Sequence, residues 1–98
     1  MYTAPVVIRT VTLSERATKD LRGVPRHIQE KLLVWIDAVE LRGLAEVRKV
    51  PGFHDEPLKG DRKGQRSIRL NQAYRAIYIV VSGAAQFVRV EEVNKHRY

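Results

Sequence analysis

The chain has 98 residues, of which 44% are hydrophobic and 30% are charged, and its formal net charge is +7. This length predicts one domain, residues 1–98, with a single modest core, and the composition excludes an intrinsically disordered chain. Cysteine is absent, which excludes disulfides and thiolate metal sites, and no apolar run approaches the roughly 20 residues that cross a bilayer.

The excess of positive charge predicts an acidic partner, which could be nucleic acid, an anionic membrane or an acidic protein. The N-terminus shows no basic segment followed by an apolar one, as a secretory signal would, so we expect a cytoplasmic protein. The three histidines, His27, His54 and His96, are widely separated in sequence, so a zinc site is not expected.

Residues 5–13 have the sequence PVVIRTVTL, which is β-branched and apolar and predicts a first strand. Thr12 and Glu15 have the spacing of a capping box, so a first helix is expected to begin there. Gly23 is a plausible stop for this helix. The N-terminal part of the chain is therefore expected to be a strand followed by a short helix.

A second helix is predicted from Pro25 to about Arg42, because the N–H that proline lacks is not used in a first helical turn. Gly43 is the expected C-cap. Apolar residues recur along one side of this helix, so the two helices should form a hairpin that covers one face of a sheet. The apolar stripe, with its tryptophan read as a core residue, is Ile28, Leu32, Trp35, Ile36 and Val39.

A basic hairpin follows a turn at Pro51 and Gly52, and its sequence over residues 58–78 is LKGDRKGQRSIRLNQAYRAIY. It begins as a loop punctuated by Gly60 and Gly64, and from residue 65 the alternation of polar and apolar residues is that of a strand. Between residues 59 and 75 it carries six cations and one acid, a net charge of +5. Cations on a rigid hairpin form a preset cradle for a polyanion.

The segment between Tyr74 and Val81 is apolar on both faces, which is typical of a central strand. The chain then turns at Ser82 and Gly83, and residues 86–93 return as the third strand of a meander. These elements predict an α+β fold, in which the N-terminal strand and a two-helix hairpin pack on one face of a small, mainly antiparallel sheet. The opposite face is left for function.

The residues suit metal-free cleavage of RNA, in which a 2′-hydroxyl attacks the adjacent phosphate. No nucleotide-binding glycine motif and no serine or cysteine triad is present. Glu91 and Glu92 are expected on opposite faces of a strand, so neither a metal nor another cofactor is expected. The cleavage needs a base, an acid and cations, for which histidine and arginine are suited. Candidates are His54 ahead of the basic loop, His96 and Tyr98 at the C-terminus, and Arg75.

Each of these residues also has a simpler interpretation. A lone loop histidine such as His54 is more often structural or merely exposed than catalytic. The cations of the loop can be a solvated surface. Arg75 opens an otherwise apolar strand, so it is either a member of an ion pair or a phosphate clamp.

The order of elements, the hairpin sequence and the terminal sequence VEEVNKHRY resemble the RelE/ParE superfamily of bacterial toxins, over nearly the whole chain. The resemblance is closest to the HigB/RelE-type mRNA interferases of type II toxin–antitoxin systems. The run Leu-Lys-Gly, three residues, Gly-x-x-Ser-Ile-Arg and a later Tyr-Arg carries it. Some HigB proteins have a histidine immediately before Pro-Leu-Lys-Gly, where this chain has Glu56, and many end in Asp-Tyr-His.

The resemblance implies an endoribonuclease that cuts mRNA in the ribosomal A site and is held inactive by a cognate antitoxin. It implies mRNA, the ribosome and an antitoxin of the helix-turn-helix type as partners, with no role for a membrane. His96 and Tyr98 would lie in the C-terminal active-site segment, and Arg75 would help to hold the mRNA backbone. The expected RNA-binding residues are Lys59, Arg62, Lys63, Arg66, Arg69 and Lys95.

Two alternatives remain open from the sequence. The same fold could carry a ParE-like toxin that inhibits DNA gyrase without cutting RNA. It could also carry a non-catalytic module that binds nucleic acid, for which the cations matter and the histidines do not. His96 and Tyr98 discriminate between these functions, since a protein that only binds has no need of an acid and a base.

Overall fold

The structure, a computed structural model, describes residues 6–95 of the chain. None of the helices within this range is both long and apolar enough to cross a membrane. The predicted α+β fold is confirmed, and its elements follow in chain order. They are β1 (Val11–Leu13), α1 (Glu15–Arg22), α2 (Arg26–Arg42), α3 (Leu44–Val47), β2 (Glu56–Pro57), β3 (Arg66–Arg69), β4 (Tyr74–Val81) and β5 (Phe87–Lys95).

Helix α1 is capped by Ser14, whose Oγ accepts a hydrogen bond of 3.0 Å from the backbone N–H of Ala17. The capping box predicted at Thr12 is therefore wrong, because Thr12 still belongs to β1 and pairs with Arg89. The end of α1 at Gly23 is confirmed. Strand β1 is shorter than the predicted strand of residues 5–13.

Helix α2 begins after Pro25 and ends at Gly43, as predicted. Gly43 has a φ of 88°, and a Cβ at this position would come within 2.7 Å of a side-chain carbon of Val7. Both facts require glycine, because a side chain there would meet backbone strain and a steric clash. The close approach lets the residues before β1 run across the end of α2, where the Leu44 N–H donates to the carbonyl of Ile8 at 2.8 Å.

The sheet has the strand order β1-β5-β4-β3-β2, so β4 is central, as its apolar pattern predicts. Strand β1 pairs with β5 in parallel, and the other pairs are antiparallel. The buried stripe of α2 packs against the sheet, and the rings of Trp35 and Tyr78 lie 5.1 Å apart. The prediction that Trp35 is a core residue is confirmed, since its exposed fraction is 0%.

We call the side of the sheet that packs on α2 the helix face and the other side the open face. Alternation along β4 places Ala76 and Tyr78 on the helix face and Arg75 and Ile77 on the open face. Ile77 has no exposed surface although it lies on the open face. Something from outside the sheet must therefore cover it.

A β-bulge in β5 changes the orientation of its acidic residues. Ile77 pairs with Glu92 and Tyr78 pairs with Val90, so Glu91 is an extra residue in β5. Val90 and Val93 both join the core, which means that the two glutamates between them both point away from it. The prediction that Glu91 and Glu92 lie on opposite faces is wrong, because strict alternation does not survive the inserted residue.

Candidate active site

A cavity of about 160 Å³ opens where β2, β3 and β4 meet on the open face. It brings together two cations, a histidine and a carboxylate from three separate segments of the chain. The polar and charged character of its wall suits a small anionic group rather than an apolar ligand. Its lining residues are His54, Glu56, Ser67, Arg69, Asn71, Gln72, Tyr74 and Arg75.

Arg69 and Arg75 are direct cross-strand neighbours in the register of β3 and β4. Two like charges placed opposite each other are destabilising unless an anion joins them. Within residues 6–95 neither arginine forms an ion pair with an acid. Convergent guanidinium groups match the oxygens of a phosphate, so the arrangement favours the phosphate-clamp interpretation of Arg75 over the ion-pair alternative.

His54 reaches the cavity from the short helical turn Pro51–Phe53, and its imidazole is exposed. It has a φ of 46°, the left-handed conformation that side chains other than glycine adopt infrequently. The buried Phe53 anchors one side of it, with the Lys31 ammonium 5.0 Å from the centre of the Phe53 ring. Such an enforced conformation motivates a functional hypothesis for His54.

Asp55 anchors the other side of His54, and its carboxylate is 1% exposed. It accepts hydrogen bonds from Arg66 Nε at 2.6 Å and from the Tyr78 hydroxyl, to which Arg48 also donates. Burial alone would lower the pKa of Arg66, but the hydrogen bond to Asp55 and its charge raise it above its ordinary value. Arg66 is thus held on the helix face, away from Arg69 and Arg75, and its contact with RNA stays a prediction.

Burial raises the pKa of Tyr78 to about 12, and the hydrogen bond to Asp55 acts in the same direction. The fold therefore favours the neutral phenol, and this stabilisation is present below about pH 10 and lost as the pH rises through 12. A rise of about two pKa units corresponds to about 3 kcal/mol. We expect the difference in free energy of unfolding between the parent and Tyr78→Phe to shrink by about 2 kcal/mol between pH 9 and pH 12, where the folded-state phenol is half ionised.

Denaturant unfolding at the two pH values measures this difference, and Tyr74→Phe is the matched control at a tyrosine outside the Asp55 network. Lysines and arginines that titrate at high pH do so in all three proteins, so their effect cancels in the comparison. A difference between parent and Tyr78→Phe that stays constant up to pH 12 would contradict the assigned role of the Tyr78 hydroxyl.

The basic loop, residues 58–65, is closed by a hydrogen bond of 2.9 Å from the Leu58 N–H to the Gln65 carbonyl. Gly60 and Gly64 have φ values of 65° and 96°, which only glycine adopts without strain. The side chains of Lys59 and Lys63 are exposed. These two lysines are therefore available to a polyanion that passes over the open face.

Arg62 has a different position from the lysines, because it reaches back to Glu92 on β5, with 3.3 Å between Nη2 and Oε1. Glu92 is the cross-strand neighbour of Ile77, and β4 lies between β3 and β5, so this bond joins the basic loop to the far side of β4 at the level of the buried Ile77. A second bond joins Arg62 to Gln65 at 3.2 Å. The basic loop is thereby attached to the sheet.

The C-terminal segment approaches the cavity from β5. Lys95 is exposed and pairs with Tyr74, which lines the cavity. His96 and Tyr98 lie outside the described residues, so their roles stay predictions. Of the predicted site residues, the structure brings His54, Arg69 and Arg75 into one cavity, and the lining of that cavity does not include Lys59, Arg62, Lys63, Arg66 or Lys95.

Glu56 is the cavity residue that the sequence reasoning missed. Its position in β2 pairs with Ser67 in β3, and its side chain is exposed in the same cavity as His54. The available signal was its place immediately before Pro57 and the basic loop, at the position where some HigB proteins carry a histidine. Within residues 6–95 no group of three or more metal-ligating side chains is present.

Comparisons with known proteins identify the fold. The chain matches no family model and no curated protein sequence. Solved structures do match: the YoeB/ParE toxin from Agrobacterium tumefaciens is 23% identical, with a TM-score of 0.66 over 90% of this chain and 99% of that one. YafQ from E. coli is 19% identical, with a TM-score of 0.70 over 90% and 93%.

The toxin–antitoxin complex RelBE2 from Mycobacterium tuberculosis also matches, at 21% identity and a TM-score of 0.57, over 93% of this chain and 100% of that one. At these identities the likeness shows the fold. The resemblance noted in the sequence is thus confirmed at the level of structure, because the chain has the fold of the RelE/ParE superfamily of toxins.

Proposed function

We propose that this chain is a toxin of a type II toxin–antitoxin system and acts as a ribosome-dependent mRNA endoribonuclease. The observation that carries the proposal is the cavity in which Arg69 and Arg75 converge with His54 and Glu56. Phosphodiester cleavage needs cations and two groups that can exchange protons, and the cavity offers both, with arginines that form no ion pair inside the described range 6–95. Structural neighbours that are toxins by name support the same conclusion.

In the proposed reaction the 2′-hydroxyl attacks the adjacent phosphate in line and the 5′-oxygen leaves. A base removes the proton of the attacking hydroxyl, and an acid gives a proton to the leaving oxygen. Glu56 and His54 are in place for one of these roles, and His96 and Tyr98, which follow Lys95 in sequence, are proposed for the other. Arg75 stabilises the charge that gathers on the phosphate oxygens. The reaction needs no metal ion.

The mRNA is proposed to run across the cavity and the basic loop. The exposed Lys59, Lys63, Arg69 and Lys95 would contact its backbone, with further support from Arg62, whereas Arg66 would contact it only by leaving Asp55. Contacts to phosphate position a nucleic acid without reading its sequence. The selection of a cleavage site would then come from the ribosome rather than from base contacts made by this chain.

The proposed partner is a cognate antitoxin, of the helix-turn-helix type implied by the sequence resemblance. Complexes of neighbours with their antitoxins, among them RelBE2 and DinJ–YafQ, support an antitoxin partner. An acidic segment of the antitoxin would neutralise the basic loop and the cavity. Because the substrate is mRNA on ribosomes, the toxin is expected to act in the cytoplasm.

Uninhibited expression tests the proposal. We expect the parent to arrest growth and stop protein synthesis, and Arg75→Ala at equal soluble expression to lose most of this effect. The alternative is a ParE-like inhibitor of DNA gyrase, and one structural neighbour is named a YoeB/ParE toxin. This alternative predicts arrested replication with intact mRNA. Mapping mRNA ends on purified ribosomes and measuring DNA supercoiling separates the two. Normal growth with folded, soluble parent would contradict both.

A further inference from the structure

The Arg75 guanidinium is held from one side. Arg75 and Asn94 are cross-strand neighbours in β4 and β5, and Arg75 Nε donates a hydrogen bond of 3.3 Å to Asn94 Oδ1. This contact uses the Nε–H of the guanidinium and leaves its two terminal NH2 groups. Within residues 6–95 its terminal nitrogens make no hydrogen bond to protein, so they remain available to a ligand in the cavity.

The amide of Asn94 is fixed in turn by Glu92, because Asn94 Nδ2 donates to Glu92 Oε1 at 2.6 Å. A carboxylate only accepts hydrogen bonds and a guanidinium only donates them. The amide must therefore turn its nitrogen toward Glu92 and its oxygen toward Arg75. Asn94 thus links the Glu92 carboxylate, to which its nitrogen donates, to the Arg75 guanidinium, from which its oxygen accepts. The flipped orientation of the amide would break both bonds.

Glu92 is the buried end of this relay, with 8% of its side chain exposed. Arg16 of α1 lies 3.4 Å from its Oε2, and Arg62 of the basic loop lies 3.3 Å from its Oε1. These two arginines compensate the buried negative charge, as such a carboxylate requires. Arg75 therefore contacts a neutral amide rather than the carboxylate. The amide orients the guanidinium, and no directly bonded carboxylate offsets its positive charge.

We propose that Glu92 and Asn94 are positioning residues, which hold the Arg75 guanidinium by its Nε edge so that its terminal nitrogens face a phosphate in the cavity. The proposal rests on the proposed function, in which Arg75 binds the phosphate that reacts. It assigns a role to a buried carboxylate and an amide that lie behind the cavity rather than in it.

Asn94→Leu tests the relay, because leucine has nearly the same size but can neither donate nor accept. We expect kcat for cleavage of a defined mRNA on purified ribosomes to fall at least about tenfold, since small misplacements of a catalytic group are costly. KM should stay within about threefold of the parent, because the exposed cations still bind the mRNA backbone. Melting curves check that the variant is folded.

Glu92→Gln should lower kcat in the same direction, because either orientation of the new amide turns its NH2 group toward donors: toward Arg16 if its oxygen keeps the bonds to Arg62 and Asn94, and toward Arg62 and Asn94 if it does not. Glu91→Gln is the matched control. It is the same chemical change at the next residue, on the same side of the bulge, where the carboxylate contacts Arg89. The control should keep the parent's kcat, and equal losses in both variants would overturn the proposal.

A double-mutant cycle separates positioning from a general loss of structure. If Asn94 acts through Arg75, then Asn94→Leu should cost nothing further once Arg75 is alanine. If Asn94 only supports the strand, the loss should be as large in the Arg75→Ala background as in the parent. The second result would overturn the proposal even if Asn94→Leu alone is slow.

One measurement does not depend on cleavage. The Arg75 Nε–H signal in ¹H–¹⁵N NMR spectra should be ordered in the parent and in Glu91→Gln, and mobile or lost to solvent exchange in Asn94→Leu. A parent that cuts no mRNA would refute the proposed function, and this signal would then decide the positioning role alone. An Arg75 Nε–H signal that is unchanged in Asn94→Leu would overturn the relay.

Discussion

Replacing Arg75 by alanine is expected to slow mRNA cleavage at least about a hundredfold, as does the loss of one donor that stabilises a developing oxyanion. Arg75 lies on the open face beside Arg69, and both line the cavity that also holds His54 and Glu56. Charge gathers on the phosphate oxygens as the 2′-oxygen attacks. A guanidinium that is already oriented stabilises this charge without further reorganisation.

Ribosome binding should change much less in Arg75→Ala, because the exposed Lys59, Lys63 and Arg69 remain. The loss should therefore appear in the single-turnover rate constant for cleavage of bound mRNA, measured on purified ribosomes. Arg89→Ala is a matched control, since Arg89 lies on the same face but contacts Glu91 outside the cavity. Equal rates for the parent and Arg75→Ala would place the reacting phosphate elsewhere.

The general fold could be predicted because its signals are local. The helix stripe from Ile28 to Val39, the stop at Gly43 and the doubly apolar β4 each depend on residues close together in sequence. The sequence predicts the cap of α1 two residues too early, because the hydroxyls of Thr12 and Ser14 can both accept the bond and strand pairing decides between them. Such a choice depends on β5, about 75 residues away in the chain.

The chemistry of the site was harder to predict, because it depends on which face of a strand each residue occupies. Arg66 and Arg69 look equivalent in a run of cations, yet the odd spacing places Arg66 on the helix face with the buried Asp55. Arg69 lies on the open face and forms no ion pair within residues 6–95. The bulge at Glu91 likewise places Glu92 on the open face, which strict alternation along β5 would not do. Glu92 thereby becomes a buried partner of Arg16 and Arg62.

Glu56 could not be predicted as a site residue, for a related reason. A single glutamate before a proline carries no signal of its own, and only the pairing of β2 with β3 places it beside His54, Arg69 and Arg75. Two residues of the segment HDEP thus face the cavity while Asp55 between them is buried. The sequence identified the right neighbourhood of the chain, but the fold decides which side chains of that neighbourhood can reach a substrate.

Loss of the base or the acid is expected to slow cleavage on the order of 10²–10⁴-fold, the largest effect we predict. The candidates are Glu56 and His54 in the cavity, and His96 and Tyr98, which follow Lys95 in sequence. Among the three expected from the sequence, we rank His96 first, Tyr98 second and His54 third. Glu56 competes with His54, because both are exposed in the same cavity and a reaction needs only one base.

The substitutions Glu56→Gln and His54→Asn remove proton transfer with little change of shape. Asparagine is suited to position 54 because it tolerates the left-handed backbone that this residue adopts. Glu40→Gln and His27→Asn are the matched controls, at exposed positions of α2 away from the cavity. His96→Gln and Tyr98→Phe complete the set.

Single-turnover cleavage on purified ribosomes distinguishes the assignments. If Glu56 is the base, Glu56→Gln should lose on the order of a hundredfold or more while His54→Asn stays near the parent, and the reverse holds for a histidine base. A comparable loss in His96→Gln or Tyr98→Phe would assign the second role to the C-terminus, whereas losses in both Glu56→Gln and His54→Asn would assign both roles to the cavity. Parent-like cleavage by all four folded variants would refute this active site, whereas a parent that blocks gyrase and cuts no mRNA would leave only the fold standing.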